Sequence, residues 1–298
     1  ASIQRSSVAV AANLAGFDLG FAIASGESKD LPTTITESSP ARAQPTTQAL
    51  AAMKDTFPPD IHDLLRMAME RLADYQDSAY VQLYLNRLQA VLEADRANGG
   101  EQHGYTLTRE TGRWLVRLMA YDDIIRVADL KTRRQRFARL REEVRANENQ
   151  IVRVVDYFKP GTDELVSILS PKLAKRVLSF SARTGFGNRG FPIKVKTDTV
   201  SGFLALRIIA GLRSRRTRSY RYFKEQAAIE NWLRQLLGAA RRDYNLALEA
   251  AACAGLVKGY GQTHLHSAGR FEAILKKIPQ IDASALRTLR ETTLDTSA

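Results

Sequence analysis

Apolar residues that return every three or four positions, over long distances, limit what this chain can fold into more than any other feature. Trp114, Leu118, Tyr121, Ile125 and Ala128 recur at helical spacing, so one stripe of an α-helix can be buried against a neighbour. Ile61, Leu65, Ala68, Leu72, Tyr75, Ala79 and Leu83 do the same upstream, and Ile229, Leu233, Leu236, Ala240, Tyr244, Ala247 and Ala251 downstream. The expectation is a mainly α fold, a multi-helix bundle with long amphipathic helices and at most a small β element.

Composition along the chain sets the expected boundaries. Val8 to Ala24 reads as a short helix with Val10, Leu14, Phe17 and Phe21 on one side. Residues 25–57 read as a flexible linker, because Ser25 to Gln48 is rich in Ser, Thr, Pro and Ala and has few large apolar side chains to offset its ordering entropy. A helical domain is expected over 58–292, followed by a disordered tail at 293–298. Its first long helix starts near Pro59, is capped by Asp60, and ends by Asn98-Gly99-Gly100. The next is capped by Thr106 or Thr108, with Glu110 near its positive end. It continues to about Ala146, a length on the order of 60 Å if unbroken.

Ile151 to Phe158 is β-branched and alternating enough for a short strand before the Lys159-Pro160-Gly161 turn, and a helix over Asp163–Phe180 follows. Ser181 to Lys196 contains Gly185, Gly187, Gly190 and Pro192 and reads as a loop or irregular hairpin. Val200 to Leu212 is short and almost wholly apolar, which predicts a core helix. Brief helices over Gly269–Ile278 and Ala283–Arg290 close the chain.

The 298 residues, 44% of them hydrophobic, suffice for a sizeable core. A formal charge of +12 attracts anionic surfaces, whether nucleic acid, phosphate-bearing ligands or an acidic protein. The one cysteine, Cys253, excludes an internal disulfide and any iron–sulfur cluster or cysteine-based zinc site built from this chain alone. A reducing, cytoplasmic setting fits that usage. The longest apolar runs, Val8–Ala24 and Val200–Leu212, are interrupted by Asn13, Asp18 and Arg207. Both fall short of the about 20 apolar residues a membrane span needs, so no membrane partner is expected. A single Arg5 is a poor basic region for a secretory leader.

Three places invite a functional reading. Lys258, Gly259, Tyr260 and Gly261 follow a long helix, and two glycines can let exposed amides and the lysine hold an anion such as a phosphate or a carboxylate. A plain helix C-terminal cap is the competing reading. Arg213, Arg215, Arg216 and Arg218, with Arg221, Tyr220, Tyr222 and Phe223, form the densest basic patch. Such a patch suits docking of an acidic subunit or a nucleotide-like tail, and also single-stranded nucleic acid. Nucleic acid ranks lower, since no RNA or DNA motif accompanies the charge. Asp122, Arg126, Asp129 and Arg133 form a charged row that is either a solvated face or a docking edge. His264 and His266, two apart, point in different directions on a helix, so no metal site is expected. No nucleophile partner for His264 can be named, and no catalytic residue is assigned.

Tyr75–Leu92 (YQDSAYVQLYLNRLQAVL), Thr106–Val144 (TLTRETGRWLVRLMAYDDIIRVADLKTRRQRFARLREEV), Leu256–Phe271 (LVKGYGQTHLHSAGRF) and the stretch KTDTVSGFLALRIIAGLRSRRTRSYRYFKEQAAIENWL carry a resemblance. Together they resemble the C-terminal helical region of the indolepyruvate ferredoxin oxidoreductase beta subunit and its long fused homologues, over most of Asp60 to Ile278. Arg5 to Ala24 is similar to the tail of the gamma-type 2-oxoacid:ferredoxin oxidoreductase domain that precedes that region, so the chain is expected to lack its front. The resemblance implies oxidative decarboxylation of an arylpyruvate to an acyl-CoA. Thiamine diphosphate, magnesium and iron–sulfur clusters would sit on an alpha subunit or domain, with ferredoxin as electron acceptor and coenzyme A as co-substrate. None of the family's catalytic residues maps onto this chain. A basic helical module for RNA or another polyanion is the alternative, and a self-contained enzyme using Lys258, His264 and Arg126 ranks last.

Overall fold

The computed structural model describes residues 44–147, 149–184, 192–259 and 261–295. The helix expected over Val8–Ala24, most of the 25–57 linker, Tyr260 and the last three residues lie outside them. The fold is mainly α. Among the described residues there are thirteen α-helices and one antiparallel pair of strands, and no helix is long and apolar enough to cross a membrane.

The expected linker yields at Thr47 to helix α1 (Thr47–Thr56), whose N-cap Thr46 accepts from the Ala49 amide. Its inward residues Ala49 and Met53 are small or flexible enough to pack despite the polar surroundings. After a 3-10 turn, Pro59–Ile61, comes α2 (His62–Tyr75). Asp60 lies in that turn and does not cap α2.

The long helix expected to run to Asn98 breaks at Gln76, and Asp77 caps a new helix, α3 (Ser78–Ala97), by accepting from the Tyr80 amide. The break resets the helical phase. Ile61, Leu65, Ala68, Leu72 and Tyr75 are buried as the spacing predicts, but Ala79 is exposed and α3 buries Tyr80, Val81, Tyr84, Leu85 and Leu88.

The second long helix also divides, into α4 (Thr106–Met119), α5 (Ile124–Lys131) and α6 (Arg134–Glu143). Asp123 caps α5 through the Arg126 amide at 2.7 Å. Neither Thr106 nor Thr108 caps α4. Buried Asp95 of α3 reaches across to the Thr108 amide at 2.8 Å and hydroxyl at 2.7 Å, and Tyr244 donates to the same carboxylate at 3.0 Å. The inward face of α4 is Leu107, Thr111, Leu115 and Met119, with Trp114 and Leu118 at its margin.

The strand expectation holds over β1 (Val155–Phe158). The single expected helix 163–180 is two, α7 (Thr162–Ser167) and α8 (Pro171–Thr184), because Pro171 fits only a helix's first turn. β2 (Ile193–Lys196) pairs antiparallel with β1, Tyr157 opposite Lys194. Helix α9 (Val200–Ala210) is capped by Thr199.

Helix α10 (Tyr220–Ala240) and α11 (Tyr244–Ala252) replace one expected helix, parted where Asp243 caps the second. Helix α12 (Gly261–Leu275) starts before the expected Gly269, and α13 (Ala283–Asp295) runs past 292. The main core gathers α1 to α4 and α10 to α13, with α4 packed against α2, α3, α10 and α11.

α9 departs most from expectation. It is no core helix: only Leu206 and Ala210 are buried, in a small cluster with Ala128 that Phe158 and Val195 flank.

Candidate functional site

The arginine patch lies on a 3-10 helix, Gly211–Arg218. With three residues per turn, side chains at i and i+3 share a side, so Arg213 and Arg216 form one row and Arg215 and Arg218 another. The first row turns inward. Arg213 donates through Nε to the Gln76 carbonyl at 2.7 Å and through Nη2 to the Ala73 carbonyl at 2.7 Å. Those carbonyls end α2, where helix geometry leaves acceptors unsatisfied and the macrodipole favours a cation.

Arg216 is 2% exposed. It donates to the Tyr75 carbonyl (2.7 Å), Gln76 Oε1 (2.9 Å) and both oxygens of Asp123 (2.7 and 3.2 Å), and lies 4.1 Å from the Tyr75 ring centroid. Burial alone would weaken the guanidinium's hold on its proton, but Asp123 outweighs it and raises the Arg216 pKa. Arg216 therefore clamps the α2 terminus to α5, and Arg213 holds the same terminus to the 3-10 helix. Arg213 and Arg216, expected as docking cations, serve the interior, because a chain end rich in free carbonyls is the strongest nearby acceptor set. Arg215 and Arg218 remain exposed.

Arg126 was likewise expected to dock a partner. Its guanidinium bridges Asp74 at 2.9 Å and Asp129 at 3.3 Å, and Arg133 binds the same two carboxylates. The charged row is thus a half-buried ion lattice tied to α2. Burial opposes the Asp74 charge, yet Arg126 and Arg133 hold its carboxyl below the usual range.

Behind this lattice sit Tyr75 and Tyr121, rings 5.8 Å apart, with buried hydroxyls that have no hydrogen-bond partner among the described residues. Arg221 covers the Tyr121 ring at 5.0 Å and pairs with Glu225, which also meets His264 Nε2 at 3.1 Å. Burial opposes the Glu225 ion, but His264 and Arg221 keep its carboxyl below the usual range.

The Lys258 to Gly261 turn follows a 3-10 stretch, Cys253–Leu256, rather than a helix directly. Gly259 and Gly261 have φ of 79° and 53°, a region that favours glycine. The Lys258 amide and carbonyl are both taken by the Ser267 hydroxyl at 3.2 and 2.9 Å. These bonds tie the Lys258 backbone to α12 and take up the amide that an anion cradle would offer. Tyr260 lies outside the described residues.

Arg126 and His264 are engaged by different carboxylates, Asp74 and Glu225. The partners that sequence reasoning missed are Asp74, Gln76, Asp123 and Glu225. The three-residue spacing of Arg213 and Arg216 was legible as two arginines on one side of a turn, but nothing along the chain names their acceptors.

The donor set does not fit the cofactors that the resemblance implies. Cys253 is buried and its thiol is pushed up to about 12 by burial, far from a thiolate ligand. No group of three or more His, Cys, Asp or Glu among the described residues is placed to hold a metal ion.

No curated protein and no solved structure matches the chain. Residues 61–277 match the family described as "Family of unknown function (DUF6537)". That span covers more than half of the sequence and takes in the arginine clamp, the ion lattice and the Glu225–His264 pair, so the chain belongs to this family.

Proposed function

We propose that this chain is the C-terminal helical part of an arylpyruvate (indolepyruvate) ferredoxin oxidoreductase subunit, serving assembly and shaping access for 2-oxoacid, coenzyme A and ferredoxin. Thiamine diphosphate, magnesium and iron–sulfur clusters belong, in this reading, to a partner subunit or domain in the cytoplasm. The four quoted segments motivate it, and they lie within or beside the span 61–277. The observation that carries the scaffold role is where the reactive-looking groups go. Arg126, Arg213, Arg216 and His264 are engaged by internal partners, and Cys253 is buried. A chain that uses its functional groups in this way offers rigidity and surface rather than chemistry.

Affinity purification of the tagged chain from its native host tests the reading. The expected result is a complex containing thiamine diphosphate and iron–sulfur clusters that reduces ferredoxin with an arylpyruvate and coenzyme A. A chain that purifies without such a partner refutes it. The net charge favours a second reading, a helical module for RNA or another polyanion. Single-stranded RNA that binds with affinity falling steeply with salt would support that reading, and absence of binding at low salt would exclude it.

A further inference from the structure

We infer that the outer face of α9 is a docking surface for an acidic protein partner whose own contact has an aliphatic centre. This gives the assembly role proposed above a location and a partner chemistry, and rests on it. Val200, Leu204 and Ile208 stand one helical turn apart along α9 and are 78%, 52% and 70% exposed. The only charged residue of α9 is Arg207. A sizeable exposed apolar patch rimmed by polar groups marks an interaction site.

The surroundings specify the partner. Of the fourteen exposed large hydrophobic residues among the described ones, thirteen fall within Leu130–Phe223. That segment holds 22 Lys and Arg against 7 Asp and Glu, while the rest of the chain holds 22 against 25. The whole positive excess of the sequence therefore lies in the stretch that contains α9; Arg133, Arg213 and Arg216 face internal partners, while Arg207, Arg215 and Arg218 stand exposed on the helix or just after it. A second copy would set like charge against like. Nucleic acid calls for aromatics that stack on bases, and the exposed residues of α9 itself include none. A membrane-surface helix keeps cations along a wet polar face and often anchors with Trp. In α9 the opposite face packs on α5, and Trp114 and Trp232 both lie outside the segment. An acidic protein face with apolar residues at its middle answers both features.

A photo-reactive benzoylphenylalanine at position 204 of the full chain, in the native host, tests this, with Met67, exposed but outside the segment, as the control position. The expected product is an acidic protein joined at 204 and not at 67. Binding of that protein, once purified, should fall about 30-fold or more in the Ile208→Asp variant. The Arg215→Glu/Arg218→Glu variant should weaken binding and flatten its salt dependence, both with an unchanged melting midpoint. Cross-linking only to RNA, to lipid or to a second copy, no product at all, or full-strength binding by Ile208→Asp would each overturn the surface. An acidic partner without thiamine diphosphate or iron–sulfur centres that needs Ile208 supports the surface and refutes the oxidoreductase role. A partner that carries those centres but ignores Ile208 does the reverse.

Discussion

Arg216→Met separates an interior clamp from a docking cation. Arg216 makes four hydrogen bonds, two to Asp123 and two to the end of α2, and removing it strands Asp123, itself 5% exposed. Breaking one side of a buried ion pair costs about 3–5 kcal/mol. Against a total stability of about 5–15 kcal/mol that is a large share. At about 2–4 °C per kcal/mol for a domain near this size, the melting midpoint should drop by about 6–20 °C. Urea unfolding followed by circular dichroism should show a lower midpoint with an unchanged slope. Arg215→Met, on the exposed row of the same turn, should stay within about 0.5 kcal/mol of the wild type. Asp123→Asn can keep the cap on Arg126 but leaves Arg216 without its counter-charge. The double variant Arg216→Met/Asp123→Asn should then cost less than the sum of the two singles, with a coupling of about 0.5–3 kcal/mol. Equal stability of the Arg216 and Arg215 variants, or strict additivity in the cycle, would refute the clamp.

Four further outcomes follow from the same structure. A Cβ on Gly202 would meet the Lys196 carbonyl oxygen at 2.1 Å, so Gly202→Ala should cost about 1–3 kcal/mol in a thermal melt, while Gly211→Ala, with open space around it, should be near neutral. Asp74, Asp156 and Glu225 are held below their ordinary values of 3.8, 3.8 and 4.5 despite burial, Asp156 by Lys131, Thr197 and Arg136. A depressed native pKa contributes stability that is complete above the ordinary value and lost as pH falls through the native one. The urea midpoint should therefore decline below pH 4.5, and more shallowly in Asp74→Asn; identical slopes would count against the lattice. Cys253 should react with a disulfide reagent at pH 8 only as fast as the chain unfolds, because its thiol is buried and titrates near 12; free-thiol reactivity in the native state would contradict this. Ile208→Asp should leave stability within about 0.5 kcal/mol, whereas a core position would not tolerate a carboxylate.

Much of the fold was legible because helical spacing is local. The fold class, the strand at Val155–Phe158 and the buried faces of α2 and α10 follow from residues three or four apart. The boundaries were harder to read. Asp77, Asp123 and Asp243 each start a new helix inside a pattern that looks continuous, because a cap resets the phase without interrupting the apolar spacing. The remote cap from Asp95 to Thr108 was invisible, since nothing along the chain relates residues on two different helices.

Composition and short-range periodicity need no partner to be read, so the helical class, the surplus of positive charge and the single cysteine are written along the chain. Packing settles which charges face water. It turned Arg213 and Arg216 inward to the carbonyls ending α2, locked Arg126 between two aspartates, and left Val200, Leu204 and Ile208 outside. Helical spacing says which side chains share a face, but what covers that face depends on segments far away in the chain. Gln76 and Arg216 meet across 140 positions, and no local pattern could have paired them.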